Sequence, residues 1–244
     1  NDRDRRYLPP IVSFLADFGG GALSKFNDFK QLVQTASVSQ DDDKRQHTAL
    51  ALAQAEADVY CLQEVDSFDA LTRFWNHYVK KIGVADYPNV ILHEGNDRRG
   101  IDVAAITRDI RPTYSRSHAS LTAGDLNDTA SGKALLADYP EAAKLVKDRG
   151  RVFSRDCLEL EVVLGDKRVT IFVCHFKSMS DGREKTMPVR QLESIAVREI
   201  INRKFADPAN ALWAVCGDLN DYRTIIKISK GTNAETVEEL TPSQ

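Results

Sequence analysis

The chain has 244 residues, 42% hydrophobic and 28% charged, which describes a globular protein with apolar material for one substantial core. No apolar run approaches the roughly 20 residues that would cross a bilayer, so no membrane span is expected. A formal net charge of −3 excludes a general affinity for polyanions, and any nucleic acid would have to be met by a local basic patch.

In chain order, DDDKR at 41–45 reads as a solvated helix start, and Leu50, Ala53 and Ala57 place a helix over 44–57. DVYCLQE (58–64) reads as a strand. A second helix over 68–82 aligns Leu71, Phe74, Trp75, Tyr78 and Ile82 on one core-facing stripe. NVILHE (89–94) and DVAAITR (102–108) are strand candidates, whereas the polar stretch 113–150 reads as a surface excursion with one short helix. LELEVVL (158–164) and RVTIFVCHF (168–176) flank Gly165 and Asp166, which tolerate positive φ and suit a hairpin turn. A third helix over 189–205 carries Leu192, Ile195, Ala196, Glu199 and Ile200, with Pro188 near its start, and ALWAVCGD (211–218) is the last strand. DVYCLQE, RVTIFVCHF and ALWAVCGD lack polar alternation, which predicts strands covered on both faces.

Strands interleaved with helices, together with a hairpin, indicate a mixed α/β protein: two mixed β-sheets packed together with helices outside. No Pro/Gly/Ser-rich linker divides the chain, so 1–244 is expected to be a single domain. Cys61, Cys157, Cys174 and Cys216 have no metal-knuckle spacing and sit in apolar segments as small buried hydrophobes. The chain opens on Asn1 without a charged leader or apolar signal core, which leaves the compartment unknown.

Polar groups terminate several of the apolar segments: Gln63 and Glu64 after DVYCL, His175 in RVTIFVCHF, Asp218 after ALWAVCG, and Arg98, Arg99 and Asp102 around DVAAITR. A carboxylate at the exit of a covered strand costs several kcal/mol to desolvate unless it is paired, hydrogen-bonded or bound to a cation. Singly, each has a plain reading: Glu64 a surface acid, His175 a satisfied core histidine, Asp218 and Asn220 an Asx-turn, Arg98 and Arg99 a solvated turn.

Taken together, LQEV (62–65), RGIDVA (99–104), HFKS (175–178), Arg190 and Gln191 on a helix, and GDLND (217–221) resemble the endonuclease/exonuclease/phosphatase superfamily over about 58–221. The resemblance implies a deoxyribonuclease I-like four-layer sandwich with its active site at strand ends, and metal-dependent hydrolysis of a phosphate ester. It implies Glu64 as ligand of magnesium, or manganese in its place, and Asp218 as the base that activates water. Asn220 then orients that base and a phosphate oxygen, and His175 contacts the phosphate or the leaving oxygen. Arg99 and Lys177 are candidate substrate-binding cations, with a solvated lysine the plain reading of the second, and Asp102 is expected to fix its loop. The family's opening aromatic-Asn pair is matched by Phe26 and Asn27, which makes Asn27 a candidate phosphate or metal-shell ligand. A closing Asp-His pair after GDLND is absent, so the chain is expected to lack the C-terminal part of the family pattern.

The expected function is a metal-dependent phosphodiesterase or nuclease. Nucleic acid, lipid headgroup and inositol phosphate substrates all stay open, and a non-catalytic binding module on the same scaffold is the alternative.

Overall fold

The computed structural model describes residues 42–84, 86–148, 150–222, 224–228 and 235–239. These fall into two compact units, one holding 42–56 and Arg73–Val84, the other Ala57–Thr72 and the described residues after Val84.

In the first unit, α1 (42–55) begins on the acidic cluster, and the Tyr78 hydroxyl donates to the Asp42 carboxylate. The helix predicted over 68–82 starts in the second unit as a regular α2 (Phe68–Phe74), and its continuation in the first is a π turn (Trp75–Val79) and a 3₁₀ turn (Lys80–Ile82) that stops at Gly83. The change of pitch rotates the apolar stripe. Trp75 and Val79 are buried while Ile82 is exposed.

The second unit contains two sheets. β1 (Val59–Val65), β2 (Asn89–Leu92) and β3 (Asp102–Thr107) form an antiparallel sheet in the order β1-β3-β2. β4 (Pro112–Ser117), β5 (Cys157–Leu164), β6 (Lys167–His175) and β7 (Trp213–Asp218) form a mixed sheet in that order, with β6 and β7 parallel. Side chains alternate along each strand. Leu158, Leu160, Val162 and Val173 from the second sheet meet Val103 and Ala105 from the first, forming the layer between the sheets. Cys157, Phe172 and Cys174 point the other way, into a helical layer.

That layer comprises α3 (Ala123–Asn127), α4 (Ala130–Ala137), α5 (Pro140–Asp148) and α6 (Arg183–Lys204). Leu192, Ile195, Ala196 and Ile200 of α6 form its core with Leu126, Leu136 and Phe153. The α/β sandwich read from the sequence is therefore the architecture observed. No described helix is long and apolar enough to cross a membrane.

Three expectations are corrected. The stretch 113–150 holds β4 and three helices rather than one. Two of the helices start on threonine caps, Thr122 accepting from the Asp125 N–H in a capping box and Thr129 from Gly132. α6 begins at Arg183, which puts Pro188 inside the helix, where its missing N–H leaves one carbonyl of the preceding turn without its usual donor. β7 is not covered on both faces: among the described residues it is the edge of its sheet and four of its six residues are exposed, Trp213 at 38%, while the fully buried strand is β3. Apolar composition marked β7 as interior, but strand order decides which strand lies at an edge. A further antiparallel pair, β8 (Thr224–Ile228) with β9 (Glu235–Glu239), follows the last motif; TIIKI and ETVEE carried that signal in their β-branched residues.

The hairpin turn is as expected: Gly165 at φ +64 joins β5 to β6 with Asp166. All four cysteines are free; Cys157 and Cys174 are buried, Cys61 and Cys216 only half-buried.

Candidate functional site

β6 and β7 end in register, His175 opposite Asp218. The parallel pairing is close because Gly217 stands at φ +126, where a Cβ would lie 2.0 Å from the Cys174 carbonyl oxygen; only glycine permits it. Asp218 follows at once. Its Oδ2 lies 3.9 Å from His175 Nε2, its Oδ1 accepts the Asn220 N–H at 2.9 Å, and its carbonyl accepts the Phe176 N–H at 2.9 Å.

Asn220 occupies the left-handed region, φ +52, and donates through Nδ2 to the Phe176 carbonyl at 3.0 Å. The Asx-turn reading is satisfied, and the turn fixes one oxygen of the Asp218 carboxylate. On the far side, the bulge in β1 between Leu62 and Val65 carries Glu64 at φ +57 and leaves its side chain exposed. Of the three non-glycine residues at positive φ among the described residues, Glu64 and Asn220 come from the motifs and the third is Glu56; each marks a backbone held in place by its surroundings.

His175 is 2% exposed, and its Nδ1 has no hydrogen-bond partner among the described residues. Burial pushes its pKa below the ordinary 6.5, the Arg155 guanidinium adds to that, and the charges of Asp218, Glu64 and Asp97 oppose it. The imidazole is therefore neutral at neutral pH. Glu64, Asp97, Asp218 and Arg155 all lie within electrostatic reach of this one ring.

Arg155 and Asp97 had no motif to announce them. Arg155 is 5% exposed, donates to the Phe176 carbonyl at 2.9 Å, and sets its Nε 3.0 Å from Asp97 Oδ2 at an angle too bent for a hydrogen bond. Asp97 also receives the Arg99 backbone N–H at 2.9 Å and the Arg99 Nε and Nη2 at 3.0 Å. Those bonds and the Arg155 charge hold the Asp97 carboxyl down at about 2. Arg99 itself is exposed, within electrostatic reach of Glu64. Asp102 fixes its loop as expected, accepting the Gly95 N–H at 2.7 Å.

Lys177 is only loosely tied to Asp181, at 3.4 Å, and it is its backbone that is anchored: its N–H donates to Glu193 at 2.7 Å. The same buried carboxylate accepts the Ser154 N–H at 2.7 Å, so α6 ties the segment after His175 to the one before Arg155. Arg190, wholly buried, donates to Thr186 Oγ1 at 2.6 Å and the Arg183 carbonyl at 2.9 Å, bracing the first turns of α6. Asp221 does more than cap a turn: Arg183 grips it through Nε at 2.8 Å and Nη2 at 3.2 Å. Asn27 lies outside the described residues.

Residues 42–241 match the sequence profile of the Endonuclease/Exonuclease/phosphatase family. Among solved structures, SmcL is 17% identical over 72% of this chain with a TM-score of 0.46. The human Nocturnin catalytic domain with bound sulfate is 16% identical over 73%, TM-score 0.47. A family protein from Leptotrichia buccalis is 15% identical over 73%, TM-score 0.42, and the match takes in 60% of that chain. The chain spans 57% of the SmcL and Nocturnin chains it matches. No curated protein sequence matches it.

Proposed function

We propose a metal-dependent phosphoester hydrolase from one premise: the chain belongs to the endonuclease/exonuclease/phosphatase family, whose profile covers residues 42–241. The observation that carries the reading is the buried His175 set in register with Asp218, 3.9 Å from its carboxylate, with Arg155 bound to the next carbonyl and paired with Asp97. A phosphodiester is anionic, so its hydrolysis needs cations for the equatorial oxygens, a base for the attacking water and a donor at the leaving oxygen.

In this reading Asp218 takes the proton of the attacking water. Its Oδ1 is held by the Asn220 N–H, which leaves Oδ2, on the His175 side, for that proton. The fixed guanidinium of Arg155 offsets the phosphoryl charge, and His175 hydrogen-bonds to a phosphate or leaving oxygen. Arg99 and Lys177 contribute positive potential from the rim.

Among the described residues, no three His, Cys, Asp or Glu side chains are grouped to cage a metal. The proposed ion is magnesium, with manganese able to replace it; magnesium retains several waters and takes one or two carboxylates from a protein. The exposed Glu64 carboxylate is the residue that would hold it. When bound, the ion would polarise a phosphoryl oxygen and lower the pKa of a coordinated water. The preferred substrate is a phosphodiester, including that of nucleic acid; a lipid or inositol phosphate would use the same groups.

The test is turnover of bis-p-nitrophenyl phosphate with magnesium or manganese. EDTA is expected to abolish it, and Asp218→Asn to lower kcat by about 10³-fold with unchanged circular dichroism. Turnover that survives either change overturns the assignment. No turnover under any divalent ion would leave ligand binding as the scaffold's role.

A further inference from the structure

We infer that Cys61 and Cys216 form a peroxide-responsive disulfide across the two sheets, a modification that moves one side of the proposed active site against the other. Cys61 lies on β1, three residues before Glu64, and Cys216 on β7, two residues before Asp218. Both point into the layer between the sheets, against the same apolar cluster of Val103, Ala105 and Val173. β1 and β7 pack against each other there, and the two thiols lie near enough to influence one another, which raises the pKa of Cys61 and lowers that of Cys216. Each is free and only half-buried, so a small oxidant can reach them. Cys157 and Cys174, directly opposite each other on β5 and β6, are fully enclosed and serve as the internal contrast.

The chemistry balances with hydrogen peroxide as oxidant. The Cys216 thiolate attacks one peroxide oxygen, the O–O bond breaks, and the departing hydroxide takes up a proton to become water. The Cys61 sulfur then displaces the hydroxyl of the resulting sulfenic acid, and its own proton leaves with that hydroxyl as a second water. Two thiols are oxidised to one disulfide and one peroxide is reduced to two waters. Closing the S–S bond to about 2.05 Å pulls β1 toward β7. Glu64 and Asp218, which continue those two strands, shift with them.

The test exposes the full chain to millimolar peroxide, blocks remaining thiols, and maps peptides by mass spectrometry. A mass loss of about 2 Da and a peptide pair linking Cys61 to Cys216, reversed by dithiothreitol, is expected. Alkylation of both cysteines after peroxide, over-oxidation of Cys216 without a link, or a Cys157–Cys174 link alone overturns the site. In the same samples, turnover is expected to fall at least about tenfold and to recover on reduction, while Cys61→Ser protein keeps its activity after peroxide. A link that forms with unchanged turnover overturns the functional consequence. This second arm rests on the hydrolase reading; the mass-spectrometric arm does not, so absence of turnover in both redox states counts against that reading and leaves the disulfide standing.

Discussion

Arg155 is the residue whose role is most sharply testable. Among the described residues it is the only guanidinium that both touches the segment after His175 and lowers the imidazole pKa. Arg155→Met is expected to lower kcat/KM by about 10²-fold, the size of effect seen when one preorganised donor is removed. The acid limb of the pH–rate profile should also move to higher pH, because His175 loses the cation that keeps it neutral; a purely structural role would leave the limb in place. Asp156, next in sequence, is wholly buried and accepts N–H bonds from His118 at 3.0 Å and Cys157 at 2.7 Å. Burial raises its pKa from 3.8 to about 6, so the folded chain binds this proton more tightly than the unfolded chain. Its contribution to stability is full below pH 3.8 and is lost as pH rises through about 6. Asp156→Asn should flatten that decline, which urea titrations at the two ends of the window will show. At this scale the sequence was half legible. Glu64, His175, Asp218 and Asn220 stand at strand ends, where a polar residue after an apolar run is conspicuous. Arg155, Asp97 and Glu193 lie in loops or along a helix, where nothing in local spacing separates a buried ion pair from a solvated one.

At the scale of elements, the junction of β6 and β7 depends on one missing side chain. Gly217→Ala would drive a methyl group to within 2.0 Å of the Cys174 carbonyl, backbone against backbone, and the strands must part. The expected cost is about 3 kcal/mol or more, measured by denaturant unfolding, with loss of turnover. Gly165→Ala is the control: nothing lies within 4 Å, so only the strain of φ +64 is added, about 1 kcal/mol. Periodicity located six of the nine described strands, the hairpin and the long helix, and left out β4, β8 and β9. It missed two of the three helices of 113–150, whose caps are short polar signals, and the exposed edge of β7, because an apolar segment reads the same at an edge as in the middle of a sheet.

For the molecule as a whole, the order of strands sets the order in which structure is gained. β5 and β6 are joined by a two-residue turn, but β7 reaches its parallel neighbour only after the whole of α6. Contacts of such long sequence separation are slow to form because chain closure must precede the bonds that reward it. Refolding from urea, followed by Trp213 emission in a Trp75→Phe background, should lag behind the far-ultraviolet signal, and turnover should return only with the slower phase. On the proposed reading, a centre seated on the β6/β7 junction would stay silent until that late strand is in place, so a partly folded chain would not attack phosphoesters without discrimination.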